Sequence, residues 1–284
     1  MDSPRCVDAA KAGCGEGLLW DAGRERLWWV DISGEALHGY NPVTGSATCT
    51  ALPYLISALA LRADGQLLVA TARGLGIVTP ESGEIVVLHD PEPEMPGNRL
   101  NDMIAGPDGA LWVGTMSEGA KGPTGALYRY DREGPQAMMR GTTISNGLAW
   151  SPDGSRLYFI DSVPGVLHLF ENGGWRKLRC FDESTGKPDG LTVDSEGTLW
   201  VAICDRGRVL GISPTGEVVA QIDLPCETVT NCCFGGTDLR TLYITTGTFR
   251  MTEDEKAANP LAGGLFAVAM EVPGLLPHAA HWPI

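Results

Sequence analysis

Asn146–Asp161 reads NGLAWSPDGSRLYFID: an amide and a glycine, a short apolar run, a Pro-Asp-Gly turn, then bulky residues ending on an aspartate. Two apolar runs around a D-G turn are a β-hairpin signature, because the glycine takes up the positive φ that reverses the chain. The pattern recurs as EGLLWDAGRERLWWVD (Glu16–Asp31), SALALRADGQLLVATA (Ser57–Ala72), NDMIAGPDGALWVGTM (Asn101–Met116), DGLTVDSEGTLWVAIC (Asp189–Cys204) and NCCFGGTDLRTLYITT (Asn231–Thr246). The turn glycines Gly65, Gly109, Gly154 and Gly197 stand 44, 45 and 43 residues apart. A third strand follows each hairpin, as in GALYRYD and GVLHLFENG, and segments such as SATCTAL and EVVAQIDL read as outer fourth strands. Units of three to four strands repeated six times in phase predict an all-β fold, a six-bladed β-propeller forming one domain over residues 1–284. A β-sandwich would not require this phase. Residues Arg5–Ala10 are expected to supply the outer strand of the last blade and so close the ring.

Composition agrees with a turn-rich globular chain: 37 glycines and 19 prolines among 284 residues, with 43% hydrophobic content. The net charge of −14 argues against nucleic acid or an anionic membrane surface as partner, since both repel an acidic protein. No apolar run approaches the roughly 18 to 20 residues that span a bilayer. The N-terminus MDSPRCVDAAKAGCGEG lacks a basic region followed by an apolar core, so a cytoplasmic location is expected. Eight scattered cysteines without CxxC spacing read as reduced thiols, mostly packing residues, with a single disulfide left open.

Superposing the repeats exposes a polar position. Asn146 aligns with Glu16, Ser57, Asn101, Asp189 and Asn231, all oxygen-bearing and all just before the first apolar strand. In a propeller that strand lines the central channel, so six such side chains converge on one mouth. Asn, Asp and Ser also favour loop starts, and turn capping is the simpler account. Two carboxylates with amide oxygens at one focus suit a hard divalent cation better. Glu16, Asn146 and Asp189 supply three oxygen donors and leave positions for water and substrate. None of the five histidines falls in the ring, so Ca²⁺, Mg²⁺ or Mn²⁺ suits the site better than a zinc–histidine centre. Donor chemistry alone leaves Fe²⁺ and Zn²⁺ open. Arg99, two residues before Asn101, would share its face on an extended segment and offer its planar fork to a substrate oxygen. Asp31 and Asp161, closing second strands, read as strand-end hydrogen-bond acceptors. Trp28, Trp112 and Trp200, and the histidines His38 and His168, read as packing residues. No GxSxG elbow, P-loop or dinucleotide fingerprint is present.

The motifs GEGLLWD, NRLNDMIAGPDGALWVGTM, SNGLAWSPDG, KPDGLTVDSEGTLWVA and CCFGG…LYITT resemble the senescence marker protein/gluconolactonase/regucalcin family, in order, from about Cys14 to about residue 268. Bacterial sugar-acid lactonases such as xylonolactonase look most similar. The resemblance implies a propeller with one divalent cation in its channel that hydrolyses aldonolactones such as xylono-, arabino- or gluconolactone. It implies Glu16, Asn146 and Asp189 as metal ligands, Asp189 as general base, and Arg99 and Asn101 as sugar contacts. The variable loop MSEGAKGPTG adds Glu118 as a substrate contact. The chain departs from the family at GLLW, where many members carry a proline. A small-molecule lactone is the expected partner, with the protein a monomer or weak homo-oligomer. Two rivals share the architecture: a metal-dependent esterase or phosphotriesterase-like hydrolase, and a calcium-binding propeller without catalysis.

Overall fold

The computed structural model describes residues 3–282. Six antiparallel sheets form six blades in a ring, a six-bladed β-propeller. Their innermost strands are Gly15–Asp21, Ile56–Arg62, Asn98–Ala105, Ser145–Trp150, Pro188–Val193 and Val229–Gly235, for blades 1 to 6 in order. Each innermost strand packs against the next, and that of blade 6 packs back on blade 1. Blade 6 takes its outer strand, Arg5–Asp8, from the N-terminal end of the chain, paired antiparallel with Leu265–Ala269. The ring is therefore fastened by strands from opposite ends of the sequence, as the repeat phase requires.

The second strands explain the regularity of the core. Each has a leucine as its first or second residue, and Leu27, Leu67, Leu111, Leu157, Leu199 and Leu242 are all at most 1% exposed. One leucine per repeat at the same height fills the space between blades, each contributing about 1.5–3 kcal/mol from burial. Trp28, Trp112 and Trp200 join these inter-blade clusters. The indole N–H of Trp200 donates to Asp194 Oδ2 at 3.0 Å. His38 stacks on Trp29, with ring centroids 3.9 Å apart, and His168 lies against Phe159. All eight cysteines are free thiols.

Alternating strand directions place the start of every innermost strand and the end of every second strand at the same face of the ring. At that face the loops between second and third strands carry the only helical turns among the described residues. These are Glu118–Ala120 in blade 3 and Glu253–Ala258 in blade 6, the latter begun by a Thr252–Glu255 capping box. The opposite end of the channel is covered by a C-terminal strap that the repeats do not announce. Gly274 bridges to Asp194 in blade 5, Leu275–His278 cross the channel, and Ala279–Ala280 add a parallel strand beside Leu61 and Arg62 of blade 2. No helix among the described residues is long and apolar enough to cross a membrane.

Candidate metal and substrate site

Asparagine is a poor strand former, yet Asn146 is the second residue of its strand and does not precede it. The reason is a β-bulge. Register slips by one residue between Ser145 and Leu148, and again at Glu16/Leu19, Ile56/Ala58, Leu100/Met103, Pro188/Leu191 and Val229/Asn231. All six innermost strands thus carry a bulge at or beside the polar position. A bulge inserts an unpaired residue and re-aims its side chain, which turns six polar groups toward the axis without ending the sheet.

The six residues are each at most 8% exposed, so every polar atom needs a partner. Asn231 Nδ2 donates to Glu16 Oε2 at 2.8 Å, and the Gly17 N–H adds 3.2 Å to the same oxygen. On the other side a relay runs through three blades. Arg99 Nη1 donates to Asn101 Oδ1 at 2.8 Å, and Asn101 Nδ2 to Asn146 Oδ1 at 3.0 Å. Asn146 Nδ2 donates to Asp189 Oδ1 and, at 2.9 Å, to Ser162 Oγ. Ser57 departs from the ring reading: its hydroxyl donates to the Asn101 carbonyl at 2.8 Å and to that of Leu100 at 3.1 Å. It ties blade 2 to blade 3 and is not offered as a cation donor.

Sequence reasoning missed several members. Asp102, beside Asn101, lines the channel just below the ring with Met103, Leu148 and Leu191. The cavity there, about 120 Å³, is lined on the strap side by Leu275–His278. Cys204, one residue past the second strand of blade 5, is buried, and its thiol is pushed up by that burial and by the charge of Asp189. A D next to an N, or a C ending LWVAIC, carries no signal until the fold brings it to the axis.

The electrostatics of this cluster are unfavourable as they stand. Burial lifts Glu16 well above the usual carboxylate range, and Asp189 and Asp102 push it further. Burial also raises Asp189, with Asp102 adding repulsion against the hydrogen bond from Asn146. Asp102 itself is pushed up to about 6, mainly by burial. Burial lowers Arg99, against the pull of Cys14, Glu16 and Glu118. Three carboxyls around one axis, each with its charged form disfavoured by burial, make a site that a divalent cation would relieve. The donor set fits such an ion: two carboxylates and an amide oxygen, with hard oxygen chemistry throughout.

Glu118 stands apart. It is exposed in its short turn, held by its N–H to the Gly97 carbonyl at 2.8 Å, and it reaches the ring only through its charge on Arg99. The loop that carries it is clamped by a residue that no motif announced. Buried Glu92 accepts from Thr115 Oγ1 at 3.1 Å, Tyr128 OH at 3.0 Å and Asn98 Nδ2 at 2.8 Å. Asn98 in turn exchanges hydrogen bonds with Thr124 across the base of that loop. Glu92→Ala leaves three donors without their acceptor. We expect a loss of about 2–4 kcal/mol in denaturant titrations.

A small residue beside Asn146 would be expected to leave room for cation and substrate. The space at Gly147 is used otherwise: a Cβ there would meet Asp189 O at 2.6 Å and Leu191 Cβ at 2.6 Å. Gly17 and Gly190 are likewise pressed against Ser57–Ala58 and Asn231 of the next blade. These glycines let adjacent innermost strands close up, which sets the radius of the ring. Gly147→Ala will therefore cost about 1–3 kcal/mol by overpacking, visible as a lower urea midpoint. Asp31 and Asp161 act as strand-end acceptors. Asp31 takes the N–H groups of Gly13 and Cys14, each at 3.0 Å, and Asp161 those of Thr143 and Ile144.

Residues 14–248 match the family described as SMP-30/Gluconolactonase/LRE-like region, and the chain belongs to that family. It is 37% identical over 280 residues to 6-deoxy-6-sulfogluconolactonase of Pseudomonas putida, covering 95% of this chain and 96% of that protein. It is 34% identical to the pentonolactonase of Haloferax volcanii, covering 96% of each. Among solved structures it resembles a calcium-binding regucalcin from Agrobacterium tumefaciens, with a TM-score of 0.92 and 29% identity over 98% of this chain and 97% of that one.

Proposed function

We propose that this chain is a divalent-metal-dependent hydrolase of sugar lactones, built as a single domain and acting on an aldonolactone to give the aldonic acid. The observation that carries the reading is the buried carboxylate–amide ring joined by hydrogen bonds to Arg99 and Asn101. Sugar lactonases among the similar proteins support the substrate class. Glu16, Asn146 and Asp189 would hold the cation, which when bound supplies positive charge to polarise a carbonyl and acidify water.

The remaining chemistry falls to the chain's own side chains. Arg99 presents a guanidinium whose position is fixed by Asn101 and the Leu100 carbonyl, at 2.8 Å each, and so it orients lactone oxygens without reorganising. Asp189 takes the proton of the attacking water as the new C–O bond forms. It returns that proton to the ring oxygen as the acyl C–O bond breaks. Asn146, fixed by Ser162, holds the Asp189 carboxylate in one orientation. Glu118 at the loop edge would meet hydroxyls of the sugar.

Pure cation binding would not need an arginine wired into the ligand ring, which favours catalysis over a binding-only propeller. The test is a pH-indicator assay of pentono- and hexonolactones set against aryl esters, using protein stripped by chelator and reloaded with Ca²⁺, Mg²⁺, Mn²⁺, Zn²⁺ or Fe²⁺ in turn. Sugar-lactone turnover restored by cation is expected. Preference for aryl esters, or binding of the cation with no turnover, would overturn the reading.

A further inference from the structure

Across the axis from Arg99, three blades away, the loop after the second strand of blade 6 brings a second arginine, Arg250, to the mouth. A cavity of about 220 Å³ opens between blades 5 and 6, lined by Cys204, Asp205, Thr228 and Arg250, with Glu227 and Glu255 at its sides. Cys204, one residue past the second strand of blade 5, lines one side, and on the other the segment before Arg250 is tied to Gly13, three residues before Glu16, so the cavity opens at the mouth beside the ring.

Arg250 is exposed at the rim of this cavity, and two observations single it out as a ligand contact. Arg250 has no carboxylate within salt-bridge reach and no hydrogen-bond acceptor among the described residues, in a protein of net charge −14. The acids around it are engaged or turned outward. Asp205 accepts the Lys187 N–H at 2.8 Å and faces Arg206. Glu255 is taken by the Thr252 capping box, and Glu227 is exposed. The neighbouring Phe249 is the second observation. Its ring is 46% exposed, unusual for so large an apolar side chain, and it sits 5.4 Å under the Arg250 guanidinium. Both residues belong to a segment fixed to blade 1, where Thr248 and Phe249 donate to the Gly13 carbonyl at 2.8 and 2.9 Å. The cation–π contact and this anchoring hold the guanidinium in place before any ligand arrives.

We propose that Phe249 and Arg250 form a specificity subsite for sugar lactones that carry an anionic group at the end remote from the lactone carbonyl. This rests on the sugar-lactone reading of the same mouth. With the ring held near Arg99 and Asn101 and the carbonyl at the axis, a substrate chain directed toward blade 6 brings its terminal group to Arg250. The phenyl face of Phe249 covers its C–H groups. A guanidinium fork gives an anion two charge-assisted hydrogen bonds that a neutral hydroxyl cannot match.

The test uses the metal-loaded full-length protein and two product-like probes that differ only in the terminal group, gluconate and 6-phosphogluconate. By calorimetry 6-phosphogluconate should bind about tenfold or more tightly than gluconate, and Arg250→Gln should collapse that ratio toward one. The kinetic counterpart is the ratio of kcat/KM for 6-phosphogluconolactone and gluconolactone, which should fall about tenfold in Arg250→Gln through KM. Equal binding of the two probes by the wild type, or a ratio unchanged in Arg250→Gln, overturns the subsite. A binding ratio that responds to Arg250 without any lactone turnover would leave the subsite standing and refute the hydrolase reading. Turnover of gluconolactone without discrimination would do the reverse.

Discussion

Asp189→Asn will lower metal-dependent lactone turnover by about 10³-fold or more while leaving a folded protein. The size follows from the two tasks assigned to that carboxylate, charged ligand and proton acceptor: an amide keeps a neutral oxygen donor but loses the charge and cannot take the proton. Asparagine keeps an acceptor for Asn146 Nδ2, so the relay from Arg99 survives, whereas alanine would remove that acceptor and leave Asn146 held by Ser162 alone. The same change removes one of three mutually repelling buried carboxyls. Metal-free Asp189→Asn should therefore melt no lower than metal-free wild type above pH 7. A variant that retains turnover within a few-fold would show that Asp189 is neither ligand nor base.

The second large effect is a linkage between pH, cation and stability. Glu16, Asp102 and Asp189 have folded pKa values above their unfolded ones, Asp102 at about 6. Between about pH 4, where unfolded carboxyls ionise, and the raised folded values, the native state holds more protons than the unfolded chain. Stability from these groups is therefore complete below about pH 4 and falls as pH rises through the folded pKa values. A cation bound by the ionised forms reverses that loss. At saturating Ca²⁺ or Mn²⁺ the melting temperature should rise by about 5 °C or more at pH 7.5 and by much less at pH 5. A cation effect that is equal at both pH values would contradict the carboxylate cluster as the binding site.

How far the sequence could be read depended on whether the information was periodic. The hairpin phase, the leucine at the start of each second segment and the polar position before each first apolar run repeat six times, so they expose the propeller and the ring together. The N-terminal closing strand follows from counting strands. What did not repeat stayed hidden. Asp102 lies one residue outside the aligned column. Cys204 follows an ordinary apolar strand, and Glu92 sits in a loop with no counterpart. The bulges were invisible because they are a property of hydrogen-bond register, and a polar residue before a strand looks the same as one inside a bulge. Gly147 shows the cost of that blindness: its missing side chain makes room for blade 5, not for a ligand. Ser57 matched the column in residue type but spends its hydroxyl on backbone carbonyls of blade 3. The C-terminal strap lies beyond the last repeat, where periodicity offers no guide.

The most direct measurement is a titration of chelator-stripped protein with a single divalent cation, following bound metal and aldonolactone hydrolysis on the same sample. The account predicts that activity rises from baseline in proportion to occupancy, saturates at one cation per chain, and is lost with that site in Asp189→Asn. Full activity in the stripped protein, or activity that rises independently of the first bound cation, would contradict it.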